Sequence, residues 1–110
     1  MKAQLQVVLA TAPDVETAKK IAHTLVEERL VACVNVVSGV TSIYRWHGKI
    51  EESGEVLLVM KTVSERLPAV VARTKELHPS KVPEVIALPV EAALPAYAEW
   101  VVDETAHVVI

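Results

Sequence analysis

Hydrophobic positions change their spacing along the chain, and each change marks a predicted element. Residues 5–12 form an apolar run with β-branched valines that Pro13 stops, which predicts a buried strand. Asp14 is a favourable N-cap for a following helix. From Val15 onward, apolar residues recur at helical spacing opposite a polar side, which predicts a helix that covers one face of a sheet. Its apolar stripe comprises Ala18, Ile21, Ala22, Leu25, Val26 and Leu30.

The middle of the chain predicts a long β-hairpin. Segments 32–46 and 49–63 are rich in Val, Ile, Thr and Tyr, and His47-Gly48 suits a two-residue hairpin loop. Each strand would hold roughly 14 residues and extend about 45 Å, whereas strands usually hold about 5 to 6 residues. We expect Gly39 and Gly54 to form bulges or bends; the alternative is that they end shorter strands with loops between them.

This hairpin is too long for its own sheet, so part of it is expected to overhang. The overhang carries Ile43, Tyr44, Trp46 and Ile50, and its two aromatic rings alone represent ~300 to 500 Å² of surface. Covering that surface is worth on the order of 8 to 12 kcal/mol as an upper value, which is comparable with the stability of a domain. We therefore expect a neighbouring chain to cover the hairpin.

The second half of the chain begins with a predicted helix over residues 65–77. Ser64 is a plausible cap for this helix, and Pro68 is tolerated in its first turn. The prolines of segment 78–83 cannot continue the helix and predict a stiff turn. Residues 84–90 return to an apolar, strand-like run, which predicts another strand.

The C-terminal part predicts a short helix over Pro95–Glu104, with Tyr97, Trp100 and Val101 facing inward. Residues 108–110 are expected to add an edge strand. The order strand, helix, strand, strand, helix, strand predicts an α+β sandwich with both helices on one face of the sheet.

Length and composition narrow the class of protein. At 110 residues the chain has room for a single domain, residues 1–110. Hydrophobic residues make up 52% and aromatic residues 4%, so we expect an aliphatic core; the apolar share of so short a chain favours burial against partner subunits. The net charge of -3 argues against binding to nucleic acid.

The sequence also predicts where in the cell the protein resides. No apolar run approaches the ~20 residues that cross a bilayer, which argues against a membrane protein. The apolar start of the chain is interpreted as a strand and not as a signal peptide. The single Cys33 cannot form an internal disulfide, which favours a reducing, cytoplasmic location.

Several blocks of sequence resemble, in order and over nearly the whole chain, the CutA family of divalent-cation tolerance proteins. They are Thr11-Ala12-Pro13-Asp14, Leu30 to Asn35, Thr41 to Lys49, Glu55 to Thr62, His78-Pro79, Val82 to Val85, and Tyr97 with Trp100. The resemblance implies a ferredoxin-like fold, a homotrimer joined through its sheets, and a role in tolerance to divalent cations, chiefly copper. The family resembles the PII signalling proteins, so a PII-like module that binds a small ligand between subunits is the alternative.

The resemblance also implies a copper site, from which this sequence departs. Some family members have a Cys before the Thr-Ala-Pro segment and two His before the later Pro, and these have been considered copper ligands. Here Ala10 and Leu77 replace two of the three, Ser80 replaces a Tyr usually found after His-Pro, and His78 remains. One imidazole binds Cu²⁺ weakly, because selective binding needs several converging donors. No required cofactor is expected, and copper is the candidate ligand.

Other metal-binding side chains have simpler interpretations. His23 with Glu27, and His107 near Asp103, are interpreted as solvated surface pairs. Cys33 is a candidate soft ligand, but an isolated Cys is most often a small buried hydrophobe.

His47 at the hairpin tip could converge in threefold symmetry and bind copper or zinc. Its simpler interpretation is a turn residue, which we favour.

The sequence shows no paired nucleophile and base and no phosphate-binding loop, so we expect that the protein is not an enzyme. The best predicted cleft lies where one chain's hairpin meets another chain's turn at 78–84. It would be lined by Arg45, Trp46, Glu55, Lys61, His78 and Glu84. Two interpretations remain open: a pocket for a small ligand or cation, or ion pairs of Glu55, Lys61 and Glu84 that fix the register between subunits.

Overall fold

A computed structural model of the protein describes residues 3–106. Its elements are β1 (Leu5–Ala12), α1 (Val15–Glu27), β2 (Cys33–Trp46), β3 (Lys49–Val63), a 3₁₀ turn (Ser64–Arg66), α2 (Leu67–Leu77), β4 (Val85–Pro89) and α3 (Pro95–Glu104). The strands form one antiparallel sheet in the order β2-β3-β1-β4. This confirms the ferredoxin-like βαββαβ order and the C-terminal helix. The predicted edge strand at 108–110 and His107 lie outside the described residues.

The main core lies between the sheet and the helices α1 and α2. Alternate residues of β1, such as Val8 and Ala10, are buried on the helix side, because successive side chains of a strand point to opposite faces. Ile21 and Leu25 of α1 are buried against them, and Val70 of α2 joins the same cluster. The core is aliphatic, as predicted.

Asp14 caps α1, as its position in the sequence predicts. The Asp14 carboxylate accepts a hydrogen bond from the Thr17 backbone N–H at 2.7 Å. This bond lowers the pKa of the Asp14 carboxyl below its ordinary value of 3.8. The helix ends after Glu27, and Arg29 follows with a left-handed φ of 58°.

Ser64 does not cap α2, contrary to the prediction from its position. A 3₁₀ turn at Ser64–Arg66 precedes the helix, which begins at Leu67 with Pro68 in its first turn and has no side-chain cap. The Ser64 hydroxyl instead accepts a hydrogen bond from Gln6 Nε2 at 2.9 Å. The hydroxyl is thus held by β1 and does not reach the free amides of the helix.

A second, smaller cluster holds α3 against the sheet. Val101 is fully buried with Leu5, Ala32 and Val63. The prediction that α3 turns its aromatic side chains inward is wrong for the chain by itself, because Tyr97 and Trp100 are 39% and 43% exposed. The two rings pack on each other, with centroids 5.6 Å apart.

The hairpin overhangs its sheet, as its length predicts. β3 pairs with β1 only from Val56 to Val63, whereas its pairing with β2 continues to Trp46 opposite Lys49. Residues 40–55 therefore form a two-stranded ribbon beyond the sheet, which we call the hairpin ribbon. His47 and Gly48 both have positive φ, the requirement of a type I′ turn, and confirm the predicted loop.

One of the two predicted strand irregularities is present. The register shifts between Val37 and Val40, and Gly39 there has a φ of +77°, so this glycine lies in a bulge where the ribbon leaves the sheet. Gly54 pairs regularly with Thr41 and has no left-handed φ, so the bend predicted at Gly54 is wrong. It simply lacks a side chain within a continuous strand.

The sheet face opposite α1 and α2 is apolar and largely uncovered within one chain. Its cross-strand pairs include Val7 with Leu88 and Leu9 with Ile86. Ile86 and Leu88 are 54% and 51% exposed. We call this surface the open sheet face, and it comprises Val7, Leu9, Val37, Leu57, Val59, Ile86 and Leu88. Within residues 3–106, no helix is long and apolar enough to cross a membrane.

Candidate functional site

A cleft of about 680 Å³ lies beneath the hairpin ribbon and beside the turn that leads into β4. We call it the hairpin cleft. Four of the residues selected from the sequence line it: Trp46, Glu55, His78 and Glu84. The hairpin and the turn meet within one chain, whereas the sequence predicted that they would meet between two chains; that second contact stays a prediction.

The register of the sheet places two carboxylates on either side of the end of β1. Leu57 pairs with Thr11, and Glu55 lies two residues further along β3 on the same face. Val85 pairs with Ala10 on the other side, so Glu84 lies next to Thr11. Strands on opposite sides of β1 are roughly 10 Å apart, and Glu55 lies a further ~7 Å along its strand, so the two backbones that carry these carboxylates are roughly 12 Å apart.

His78 connects the turn that leads into β4 to the end of β1, and both line the cleft. β4 pairs with β1 only as far as Ala10. At the next residue, Thr11, the ring of His78 contacts β1 instead. Its Nε2 lies 2.7 Å from the Thr11 carbonyl oxygen, and its Nδ1 accepts the Ser80 backbone N–H at 3.0 Å. An acceptor at Nδ1 and a donor at Nε2 define a neutral imidazole. A metal ion could bind His78 only by displacing one of these two partners.

Two aromatic side chains of the hairpin ribbon complete the cleft. Tyr44 and Trp46 alternate with Arg45 along β2, so the two rings share one face of the ribbon, roughly 7 Å apart along the strand. They are 44% and 50% exposed. The His47 ring contacts Trp46 edge-on, with ring centroids 4.8 Å apart and planes at 83°. The turn at the hairpin tip therefore helps to hold the indole in place.

Three other selected residues lie elsewhere. Arg45 faces the opposite side of the ribbon, because neighbouring residues of a strand alternate. Cys33 and Lys61 pair with each other across β2 and β3, and Lys61 also pairs with Val7, four residues from Thr11 along β1. That separation is roughly 13 Å, so Cys33 and Lys61 do not contribute to the hairpin cleft.

Cys33 and Lys61 have partners of their own. The Lys61 ammonium donates to the Asn35 side-chain oxygen. Cys33 Sγ lies 3.4 Å from the Tyr97 hydroxyl, and this hydrogen bond is the main reason that the pKa of Tyr97 is raised to about 12. Cys33 is thus half-buried against α3.

The described residues form no ready-made metal centre. No group of three or more His, Cys, Asp and Glu side chains converges within residues 3–106. Ala10 is buried in the helix-side core, and Leu77 packs against that core. The two positions at which this sequence departs from the copper site implied by the resemblance are therefore apolar in character and in environment. His23 is exposed on α1, in keeping with its interpretation as a surface residue.

The ion pairs of residues 3–106 lie away from the cleft. They join Arg73 to Glu28 at 2.9 Å and to Glu76 at 3.8 Å, and Arg29 to Glu104 at 3.9 Å. Among these described residues, neither Glu55 nor Glu84 takes part in one. Ion pairs between subunits that involve Glu55, Lys61 or Glu84 stay a prediction.

Comparison with known proteins identifies the family. The model of the family described as CutA1 divalent ion tolerance protein matches residues 6–104. The chain belongs to the CutA1 family. A CutA protein described as a divalent-cation tolerance protein, from Thermus thermophilus, is 49% identical over 100 residues, which cover 91% of this chain and 97% of the relative. The family is thus named for a tolerance function and not for an enzymatic reaction.

Two further CutA1 comparisons extend the match. Protein CutA of Mus musculus is 52% identical over 91 residues, which cover 83% of this chain but 51% of the relative, so the chain spans about half of that mammalian protein. A crystal structure of CutA1 from Oryza sativa superposes with a TM-score of 0.94 at 38% identity, covering 97% of this chain and 98% of that one. The fold described above is therefore the CutA1 fold.

Outside the turn at 78–84, the cleft predicted from the sequence lacked four lining residues: Thr11, Ser42, Ile43 and Tyr44. Tyr44 carries a usable signal, because its spacing of two from Trp46 places both on one face of a strand. The same alternation excludes Arg45 from that face. Thr11 carries no such signal, since its role depends on where β4 stops pairing with β1.

Proposed function

We propose that this chain acts in divalent-cation tolerance as a homotrimer and not as an enzyme. Support for the role is the CutA1 family match over residues 6–104, together with the named function of the Thermus thermophilus relative. Support for assembly is the uncovered open sheet face, together with Ile43 and Ile50 on the opposite face of the hairpin ribbon, each more than two-thirds exposed. Exposed apolar patches of this extent mark interaction surfaces in soluble proteins.

The observation that carries the proposal is the hairpin cleft at the border of the open sheet face. A copy that covers this face would stand beside Glu55, Glu84 and the turn fixed by His78, and would complete a site between subunits. Two carboxylates and one imidazole offer oxygen and nitrogen donors to Cu²⁺, the tightest binder of the first-row divalent series. Binding would be weak, because the imidazole must give up a hydrogen bond and the two carboxylates belong to separate segments, β3 and the turn before β4.

Calorimetric titration with Cu²⁺ tests this role. We expect wild-type protein to bind the ion weakly, and we expect the His78→Ala and Glu84→Gln variants to bind it less tightly. His23→Ala is the matched control, since it removes an imidazole that is exposed on α1. Identical curves for wild type, His78→Ala and Glu84→Gln would remove the cleft from metal binding.

A second candidate is a PII-like module that binds a small molecule. The size of the hairpin cleft favours it, because pockets for small ligands usually measure about 300 to 1,000 Å³. A thermal-shift screen of metabolites distinguishes the two roles, since a ligand that binds only the folded state raises the melting temperature. A hit whose effect disappears in Glu84→Gln would place the ligand in the cleft.

We also propose a reducing location, the cytoplasm. The chain has one cysteine, and its thiol is hydrogen-bonded to Tyr97 within the fold. In a compartment that forms disulfides, a chain with one cysteine still could not form an internal cross-link. Detection of the protein in the soluble fraction after removal of the cell envelope tests this proposal.

A further inference from the structure

The hairpin cleft brings aromatic rings and carboxylates together in one cavity. Tyr44 and Trp46 line it from the ribbon, and Glu55 and Glu84 line it from β3 and from the residue before β4. We propose that the hairpin cleft binds an organic ammonium cation, held by the two rings and the two carboxylates. This inference rests on the proposed function only in that it uses the same cleft.

The charge of the cleft favours a cation. Glu55 and Glu84 supply two negative charges, and Lys81 supplies one positive charge at the rim. His78 adds none, because its Nδ1 accepts a hydrogen bond and its ring is neutral. Neither carboxylate is in an ion pair within residues 3–106. The cleft therefore keeps an excess of one negative charge.

The geometry suits an organic cation better than it suits tight binding of a bare metal ion. A metal ion needs several donors within bonding distance, and the described residues hold no such group of three. The backbones that carry the two carboxylates are roughly 12 Å apart, a gap that a molecule of several heavy atoms can span. In an alkylated ammonium ion the charge is spread over the alkyl groups. Such an ion therefore loses little hydration free energy when it leaves water.

The aromatic rings supply the contact that such a cation prefers. Trp offers the most favourable ring face for a cation, followed by Tyr, and recognition of alkylated ammonium groups is the common use of such rings. Trp46 is steadied by the edge-on contact with His47. Ile50 lies on the opposite face of the ribbon, so a neighbouring chain can cover Ile50 while the rings stay turned toward the cleft.

A pair of isosteric probes tests the proposal on the assembled wild-type protein. Choline carries a quaternary ammonium group, and 3,3-dimethylbutan-1-ol has the same shape without the charge. We expect choline to bind in calorimetry at least about tenfold more tightly than the alcohol, because only choline gains from the carboxylates and from the ring faces. Equal binding of both probes, or no binding of choline, would overturn the proposal.

Variants locate the site. Trp46→Leu, Glu55→Gln and Glu84→Gln are each expected to weaken choline binding about tenfold. Glu52→Gln is the matched control, since Glu52 lies on the other face of the same ribbon and should leave binding unchanged. An equal loss in Glu52→Gln would show general charge attraction and contradict a site in the cleft.

A measurement on the unmodified protein keeps the test independent of folding defects in variants. The chain has two tryptophans, Trp46 in the cleft and Trp100 on α3. Added choline should shift the indole N–H resonance of Trp46 and leave that of Trp100 in place. Shifts of both or of neither would contradict the proposal. Weak Cu²⁺ binding and trimer mass can persist in either case, so failure here is distinct from failure of the proposed function.

Discussion

The ring of His78 replaces β4 as the partner of β1 at Thr11, with Nε2 2.7 Å from the Thr11 carbonyl oxygen. The sheet pairing of β4 begins at Val85 opposite Ala10, so the Thr11 carbonyl lies just beyond the ladder. The same ring accepts the Ser80 N–H, which joins the turn after α2 to the end of the central strand. One side chain thus sets the position of the turn that carries Glu84.

Replacement of His78 tests this connection. We expect His78→Ala to lower the free energy of unfolding by about 1 to 3 kcal/mol, since it leaves a carbonyl and an amide without partners. Denaturant unfolding of wild type and variant at equal protein concentration gives the difference. His23→Ala, on the exposed side of α1, should differ from wild type by far less. Equal losses in the two variants would show that the ring of His78 does not fix the turn.

The bulge at Gly39 gives a prediction with a control in the same hairpin. Gly39 has a φ of +77°, so Gly39→Ala should cost about 1 to 2 kcal/mol in the free energy of unfolding although no atom lies near the added methyl group. Gly54 has no left-handed φ and equally open space, so Gly54→Ala should be neutral or stabilising. Chemical denaturation of both variants checks the contrast. A loss in Gly54→Ala as large as that in Gly39→Ala would contradict the bulge.

The cap of α1 predicts a pH dependence. The hydrogen bond from Thr17 lowers the pKa of Asp14 in the folded state below 3.8, so the ionised cap stabilises the fold above that pH. This contribution is lost as the pH falls through the lowered pKa of the folded state. Wild type should therefore have a higher free energy of unfolding than Asp14→Ala. This difference should be constant near neutral pH and should shrink below pH 3.8.

Asp14→Asn separates capping from titration. Asn also caps helices but does not ionise. The difference in the free energy of unfolding between Asp14→Asn and Asp14→Ala should therefore stay the same across that pH range. Thermal unfolding of the three proteins at matched pH provides the measurement. A margin for wild type that does not change with pH would show that the Asp14 carboxylate is not perturbed by the cap.

The open sheet face predicts which surface substitutions separate the chains. Ile86 is half-exposed on that face, and a charge there would have to be buried by assembly. We expect Ile86→Lys to reduce the mass of the particle to that of one chain in sedimentation velocity. Val71→Lys is the control, because Val71 is 45% exposed on α2 in the helix layer. Dissociation by both variants alike would mean that the sheet is not the interface.

The sequence predicted most of the fold because its signals were local. The residue types of His47-Gly48 predict the hairpin turn. Asp14, directly before an apolar helical stripe, predicts the start of α1. Gly54 shows the limit of such signals, because a glycine marks a bulge only where the backbone takes a positive φ. Ser64 shows the same limit, since its hydroxyl found a partner on a distant strand.

The candidate site was predictable where residue type alone suggests chemistry. Glu55, His78 and Glu84 are polar residues among apolar neighbours, and the structure brings them to one cleft. Thr11 could not be found, because its role follows from the point at which two strands stop pairing. Arg45 was predicted to line the cleft, but strand alternation turns it to the other face of the ribbon.

Both the proposed trimer and the proposed site between subunits require that identical chains cover the open sheet face and the hairpin ribbon. Light scattering coupled to gel filtration at micromolar protein measures this directly. The account predicts one folded species of about 36 kDa, three chains of 12.0 kDa each. A stable, well-folded particle of 12.0 kDa under these conditions would contradict it.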